Sequence, residues 1–316
     1  MSKNKSKSID YLVLAEPEKG AGHIARFVTL FHETKLKYRL NNLFFIGDEK
    51  FLINWLDYFK LTNLKIYKLS KALNEEYCFE NVISDCLCYD KYLKDVSIKN
   101  LIAFEDFCSS NPYEWIRINS FAGDLSLNSM TLSGVEYELL RPDVDRIREK
   151  TKRFNIELKK NSTENLKLGY VFGGSDPMNF SNYFLTPGNL NFDNLKNETN
   201  FIECLSGYDI IFSSAGRMVL ECLALGVIPV VLFQNKREAN NHQELQKFLP
   251  EIFPHREMFT KDNSLNTDRI EEQIYFINGV IDSNKNNFIR RLNVYRELLG
   301  SKTTLKILDK LFNYWD

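Results

Sequence analysis

Gly20-Ala21-Gly22-His23-Ile24-Ala25-Arg26 is the stretch that decides the fold, and it follows an apolar run at 11–15. This order predicts a strand, a glycine turn and the first turn of a helix. Glycines let a ligand approach the backbone, and a helix start presents unpaired N–H groups and the positive end of a dipole. The stretch therefore predicts a place for an anion or a polarised oxygen, with Gly20 and Gly22 as binding residues.

His23 adds a candidate base to this turn. The partial positive charge of a helix N-terminus disfavours the imidazolium, so the ring stays neutral near pH 7 and can accept a proton. A tight strand-to-helix connection with a histidine bonded to its neighbours explains the same residues. The spacing by itself does not decide between these two interpretations.

The same stretch formally matches the G-x-G-x-x-A dinucleotide fingerprint, with Asp48 as the ribose acceptor. Residues 16–19 separate the strand from the first glycine, whereas the fingerprint places its glycine turn directly after the strand. This spacing disfavours an NAD-dependent oxidoreductase. The sequence also lacks the GxxxxGK[ST] loop of P-loop kinases.

Length and charge indicate two domains and a small-molecule partner. The 316 residues carry 41 basic and 42 acidic side chains, so no global field attracts nucleic acid or an anionic membrane. The basic residues 1–8 precede a short strand rather than a long apolar region, and no apolar run is long enough to span a membrane. We expect a cytoplasmic protein.

The cysteines and histidines do not form a metal-binding pattern. Six cysteines are spread through apolar segments, and the four histidines lack the i, i+4 spacing of a metalloprotease helix. The sequence predicts free thiols, no protein-bound metal and no resident cofactor.

Apolar runs alternate with amphipathic stretches through the first half, at 11–15, 43–46, 64–69, 82–83, 101–104 and 116–118. This alternation predicts an α/β fold with a parallel, doubly wound sheet, whose ligands bind beyond the carboxyl ends of the strands. Asp48, Asp85 and Glu105 follow predicted strands. Each can cap a helix or face the ligand, and capping is the commoner role for any one of them.

The composition changes to a charged helical run after Pro142, which predicts domains at 1–142 and 143–316. A second series of strands and helices then begins with a strand at 166–172. It continues with Gly173-Gly174-Ser175-Asp176-Pro177, where Asp176 is the expected N-cap and Pro177 the first helical residue. Strands at 209–212 and 229–233 follow, and 268–316 is predicted to be helical.

Two glycine-containing helix starts in this second domain predict a diphosphate-binding cradle. One holds Gly174 and Ser175, and the other holds Ala215 and Gly216. Arg217 adds a cation to the second. Glu221 lies one helical turn further, where its carboxylate can accept hydrogen bonds from a ribose, although a surface or capping glutamate is the alternative.

These motifs together resemble the UDP-sugar hydrolase of pseudaminic acid biosynthesis (PseG) and its relatives, members of the GT-B superfamily that also holds the MurG-type glycosyltransferases. Closer similarity is to PseG-like proteins found beside or fused to sialic-acid-type cytidylyltransferases. The segments that carry the resemblance are Gly22-His23-Ile24-x-Arg26, Phe104-Glu105-Asp106, Leu139-Leu140-Arg141-Pro142, Gly173-Gly174-Ser175-Asp176-Pro177, Ser214-Ala215-Gly216-Arg217 with Glu221, and Gln234-Asn235-Lys236-Arg237-Glu238 before His242.

The resemblance implies two Rossmann-like domains facing a cleft, with the nucleotide held by the second domain and the C-terminal helices crossing back to the first. It implies a reaction without metal in which His23 is the general base, water attacks the anomeric carbon with inversion and UDP leaves. It implies catalytic roles for Arg26 and Asn235. Further substrate-binding residues implied by it are Asp85, Gln234 and His242.

The chain departs from the hydrolase pattern at Asp85-Cys86-Leu87, where the hydrolase has an Asp-His-Tyr-like motif. The segment 178–207 is also short for two strand-and-helix units. Three functions stay open. They are hydrolysis of a UDP-activated amino sugar for nonulosonic acid or surface-glycan synthesis, glycosyl transfer to a glycan or protein acceptor, and nucleotide-sugar binding without catalysis.

Overall fold

The computed structural model describes residues 8–34, 39–86, 89–93, 96–105, 116–119, 130–150, 166–172, 176, 178–185, 191–196, 198, 200–234, 236–253 and 267–300. The chain divides into two compact units. The first is Met1–Arg141 with Gly300–Asp316, and the second is Pro142–Leu299. The expected functional domains at 1–142 and 143–316 stay a prediction, as does the expected crossing of the C-terminal helices. Of the C-terminal stretch predicted to be helical, 268–300 is described and 301–316 lies outside the described residues.

The first unit is built on a parallel sheet of seven strands in the order β3-β2-β1-β4-β5-β6-β7. The strands are β1 Ser8–Ala15, β2 Arg39–Gly47, β3 Ile66–Lys68, β4 Phe79–Asp85, β5 Ile98–Phe104, β6 Ile116–Asn119 and β7 Met130–Ser133. The helices are α1 Gly22–Thr34, α2 Glu49–Tyr58, α3 Leu69–Asn74 and α4 Tyr89–Tyr92. The six strands predicted for this half are all present, and β7 is an additional short strand.

The strand order reverses beside β1, the strand that precedes the glycine turn. The chain builds β2 and β3 on one side of β1 and then returns to place β4 on its other side. In open parallel sheets, ligands bind beyond the carboxyl ends of the strands at the point where the strand order reverses. The fold thus positions the residues that follow β1 and β4 for function.

Both faces of this sheet are covered by buried apolar residues. Tyr11 and Val13 of β1 pack on one face with Ile24 and Phe27 of α1. Leu12 packs on the other face among buried apolar residues of β4 and β5. Burial on both faces explains why β1 reads as a continuous apolar run instead of an alternating one.

The second unit has a parallel sheet of four strands in the order β11-β10-β8-β9. The strands are β8 Leu168–Val171, β9 Phe192–Asn194, β10 Ile210–Ser214 and β11 Ile228–Leu232. The helices are α5 Pro142–Lys150, α6 Phe201–Leu205, α7 Arg217–Leu225, α8 Lys236–Asn241, α9 Gln243–Phe248 and α10 Thr267–Leu298. Among the helices described in either unit, none combines the length and apolarity needed to cross a bilayer.

Asp176 caps a helix, although not the one that the sequence predicts. Its carboxylate accepts hydrogen bonds from the backbone N–H groups of Phe180 (3.0 Å) and Ser181 (2.8 Å). These residues open a 3₁₀ helix, Phe180–Phe184, so the cap acts four residues after Asp176. Pro177, the expected first helical residue, lies outside the described residues.

Candidate functional site

The glycine turn of the first unit places His23 in the first turn of α1. A 3₁₀ turn at Pro17–Lys19 follows β1, and Gly20 then adopts φ +78°, a left-handed conformation that favours glycine. This extra turn accounts for the four residues between the strand and the first glycine. It places His23 at the carboxyl end of β1, where 5 % of the surface of His23 is exposed.

Asp85 meets His23 at the point where the strand order reverses. Asp85 is the last residue of β4, and its Oδ1 lies 2.5 Å from His23 Nδ1. A carboxylate only accepts hydrogen bonds, so Nδ1 carries a proton and donates the bond, and Nε2 is the acceptor atom of the neutral form of the ring. Asp85 thereby fixes both the orientation and the tautomer of His23.

Arg26 lies one helical turn after His23 and joins two buried carboxylates. Its Nη1 donates to Asp85 Oδ2 at 2.5 Å, and its Nη2 donates to Glu105 Oε1 at 2.6 Å. The guanidinium carbon also lies 5.5 Å from the centroid of the Phe104 ring. With 1 % of its surface exposed, Arg26 is a buried bridge between the ends of β4 and β5.

Glu105 reaches Arg26 through an unusual backbone conformation. It follows β5 directly and has φ +49°, in the left-handed region that costs a residue with a Cβ about 1–2 kcal/mol. Its N–H donates to the Ile118 carbonyl of β6 at 3.0 Å, which holds this conformation. The turn ends the strand and leaves the Glu105 carboxylate on Arg26.

Electrostatics keep Asp85 and Arg26 ionised. Burial alone would raise the pKa of Asp85, but the charge of Arg26 and the hydrogen bonds from His23 and Arg26 hold it below its ordinary value. Burial alone would lower the pKa of Arg26, and the carboxylates of Asp85, Glu105 and Glu138 raise it instead. The carboxylate of Asp85 and the guanidinium of Arg26 are therefore both charged across the physiological range.

Donor atoms of His23, Asp85 and Glu105 lie within 4.8 Å of one another, a spacing that a metal ion can use. The guanidinium of Arg26 already binds both carboxylates and supplies the positive charge at this point. We therefore assign no ion to the cluster.

The second unit forms a tight turn where the sequence predicts the phosphate cradle. Residues 214–216 join β10 to α7, and the Gly216 N–H donates to the Ser214 carbonyl at 2.8 Å. Gly216 has φ −96°, and among the described residues other than its two chain neighbours no atom lies within 4 Å of the position that a Cβ would occupy. Neither the backbone nor the packing requires glycine there, so its lack of a side chain leaves the start of α7 open.

His242 stabilises this turn through a hydrogen bond to its backbone. Its Nε2 lies 2.6 Å from the Ala215 carbonyl, to which it donates. Burial lowers the pKa of His242 to about 4, and the hydrogen bond to Ala215 only partly opposes that effect. The ring is therefore neutral at pH 7 and acts as a hydrogen-bond donor to the backbone.

The stability of the second unit is expected to depend on pH through His242. Its pKa falls from 6.5 to about 4 on folding, a difference worth about 3 kcal/mol. Because the folded value is the lower one, this stabilisation is complete above about pH 6.5 and is lost as the pH falls toward 4. Free energies of unfolding measured in urea from pH 4 to pH 7.5 should show this loss in the wild type. A His242→Gln variant, which keeps an N–H donor but does not titrate, should lack that component, and parallel curves would contradict the assignment.

Three other predicted residues of the second unit, Arg217, Glu221 and Gln234, are among the described residues. Arg217 is the first residue of α7 and is half-buried, and Glu221, one turn later, is buried at 5 % exposure. Gln234 follows β11, where its backbone N–H donates to Glu238 Oε2 at 2.8 Å. Three predicted residues, Gly174, Ser175 and Asn235, lie outside the described residues.

The structure thus gathers His23, Arg26 and Asp85 into one cluster, and Ala215, Gly216 and His242 around one turn. Asp48 takes the commoner role of an acid after a strand, since its Oδ1 accepts from the Phe51 N–H and caps α2. These placements leave the roles of all the predicted site residues as predictions.

Two charged residues of the cluster were missing from the predicted site. Glu105 follows a strand, as the sequence showed, but nothing local marks it as a partner of Arg26. Glu138, buried at 2 %, stands in the apolar sequence before Pro142, and this position is the signal that could have indicated it.

This arrangement of parallel sheets is that of the GT-B class, and solved structures share it across nearly the whole chain. The UDP-glucosyltransferase from Polygonum tinctorium is 11 % identical and covers 99 % of this chain and 100 % of its own, with a TM-score of 0.60. MurG from Acinetobacter baumannii is also 11 % identical and covers 98 % and 99 %, with a TM-score of 0.54. The GT-B fold expected from the motifs is confirmed.

One curated relative matches at the level of sequence. It is uncharacterized protein MJ1062 from Methanocaldococcus jannaschii, 25 % identical over 285 residues, covering 73 % of this chain and 56 % of the relative. The chain thus spans little more than half the length of the relative it matches. No family model matches the chain.

Proposed function

We propose that this protein is an enzyme that cleaves a nucleotide sugar, most specifically a UDP-activated amino sugar, with His23 as the general base. The observation that carries the proposal is the buried His23–Asp85 pair at the carboxyl ends of β1 and β4. A neutral imidazole held by a carboxylate at Nδ1 is poised to take a proton at Nε2.

The proposed chemistry is an inverting displacement. Nε2 of His23 takes a proton from water as the water oxygen bonds to the anomeric carbon. The bond from that carbon to the diphosphate breaks, and UDP leaves with the electron pair. Because Arg26 already binds the Asp85 and Glu105 carboxylates, the proposed reaction uses no metal.

The second unit is proposed to bind the nucleotide. The open start of α7 at Gly216 offers backbone N–H groups and a positive helix end to a diphosphate, and Arg217 adds charge. The same groups favour the leaving group as its negative charge develops. Glu221 is the proposed acceptor for the ribose hydroxyls.

Glycosyl transfer is the second candidate. It uses the same donor and the same base, with an acceptor hydroxyl in place of water. The observation in its favour is that glycosyltransferases share the fold across nearly the whole chain at TM-scores of 0.60 and 0.54.

A panel of nucleotides and nucleotide sugars separates these functions. A ligand that binds only the folded protein raises its free energy of unfolding, by about 2.7 kcal/mol at a ligand concentration one hundred times Kd, and therefore raises its melting temperature. We expect UDP and a UDP-amino sugar to do so, and UDP to be released from that sugar in water. Release only when a glycan or protein acceptor is added would favour transfer. Binding without release would indicate a binding module, and no stabilisation by any nucleotide would overturn the proposal.

Gly216 gives a specific prediction for the nucleotide cradle. A Gly216→Val variant should fold, since the described part of the chain leaves its Cβ position open, but its side chain should block the start of α7. Losing one charge-assisted hydrogen bond weakens UDP binding about ten-fold or more by calorimetry. Gly279→Val is the matched control, because its Cβ position in α10 is equally open. Equal UDP affinity for Gly216→Val and the wild type would contradict the cradle.

A further inference from the structure

The charges of the His23 cluster alternate along a buried chain of contacts. His23 contacts one oxygen of Asp85, Arg26 binds the other, and Arg26 continues to Glu105. All four residues are buried, with exposures of 8 % or less. A base assisted by a carboxylate requires only the first of these contacts, so Arg26 and Glu105 need a separate explanation.

The contact between His23 and Asp85 creates a conflict for a general base. A buried carboxylate 2.5 Å from an imidazole favours the imidazolium, and an imidazolium cannot accept a proton. Asp85 orients the His23 ring, but the same contact would therefore reduce the fraction of His23 in the neutral form that can accept a proton. A second cation on Asp85 relieves the conflict, because it competes for the same negative charge.

We propose that Arg26 and Glu105 form an electrostatic counterweight that keeps His23 neutral while Asp85 holds it in place. Arg26 weakens the pull of Asp85 on a proton at His23. The Glu105 carboxylate in turn partly neutralises the positive charge of Arg26. Without Glu105, that positive charge would lower the affinity of His23 for the proton that it must accept. Both are positioning residues in this scheme, and its catalytic meaning rests on the proposed function.

The charged groups around His23 come from every element that meets there. Asp85 ends β4, Arg26 lies on α1, Glu105 follows β5, and Glu138 acts on Arg26 from the segment before α5. Asp85, Arg26, Glu105 and Glu138 sum to two negative charges. Removing the charge of Arg26 makes this sum −3, and removing that of Glu105 makes it −1.

Two further charged residues, Arg117 and Glu16, are not counted in this sum. Arg117 of β6 pairs in register with Ala103, whose side chain packs on the face of the sheet opposite to Phe104. Glu16, in the loop after β1, accepts a hydrogen bond from Tyr92 at 3.2 Å. Neither changes in the variants below, so the shifts report on Arg26 and Glu105.

The backbone of Glu105 supports the proposal independently. A glutamate held at φ +49° is strained, and such strain persists where the surrounding structure fixes it for a purpose. The strained turn is what brings the carboxylate within 2.6 Å of Arg26. Glycine or asparagine would relieve the strain but would lack a carboxylate.

An NMR titration of the full chain with labelled histidine side chains tests the counterweight without any substrate. The chain has four histidines, and a His23→Gln variant identifies the His23 signal. Relative to the wild type, we expect the His23 titration midpoint to rise by about 1–3 units in Arg26→Gln and to fall in Glu105→Gln. Arg26→Lys, which keeps the charge, should restore a midpoint near that of the wild type.

Opposite shifts in the two glutamine variants support the proposal, since a purely structural disturbance would not give them opposite signs. Unchanged midpoints, or shifts in the same direction, overturn it. If Arg26→Gln does not fold, the fall expected for Glu105→Gln decides the matter alone. Opposite shifts in a protein that cleaves no nucleotide sugar would keep the counterweight and reject only the proposed function.

Discussion

Replacing His23 with glutamine is expected to lower kcat for cleavage of the nucleotide sugar by about 10²- to 10⁴-fold, the usual contribution of a general base. The glutamine amide can still donate to Asp85, so the cluster keeps its contacts while losing the proton acceptor. Steady-state release of UDP at saturating substrate measures the effect. The melting temperature of the variant should stay close to that of the wild type.

His32→Gln is the matched control for this experiment, because His32 lies on the same helix in its last turn. Its kcat should equal that of the wild type. Asp85→Asn should also be slow, since an asparagine can favour the tautomer that carries its proton on Nε2. A His23→Gln enzyme with the wild-type kcat would show that His23 is not the base.

Replacing Arg26 with methionine is expected to lower the free energy of unfolding by about 3–5 kcal/mol. Methionine fills much of the volume, but the variant leaves Asp85 and Glu105 buried without their shared cation. Urea denaturation at pH 7 measures the loss. The deficit should shrink as the pH falls and the two carboxyl groups become protonated.

The control for this prediction is Arg269→Met, because the Arg269 side chain is 39 % exposed and pairs with Glu272 on the surface of α10. That change should alter the stability by less than about 1 kcal/mol, as surface ion pairs generally do. Equal losses for the two variants would contradict a special role for the buried bridge of Arg26.

Much of the fold could be predicted because burial on both faces of a sheet leaves a strong local pattern. The apolar run before Gly20 becomes β1, and α7 begins at the helix start predicted at Ala215 and Gly216. Gly226 stops α7 with φ +82°, a conformation that glycine adopts without strain. The short strands β7 and β9 were missed, since three or four residues carry too little pattern to stand out from a loop.

The sequence by itself determined the turn that holds His23, because glycine conformation and helix start are local properties. It could not determine the partners of His23. Asp48 and Asp85 look alike in the sequence, since each follows an apolar strand, yet Asp48 caps α2 while Asp85 binds His23 and Arg26. Only the tertiary structure separates them, because it places β4 directly beside β1 across more than sixty residues of chain. The local sequence pattern does not encode which strands become neighbours. The pairing of β1 with β4 brings Asp85 to His23 and so makes His23 a candidate base.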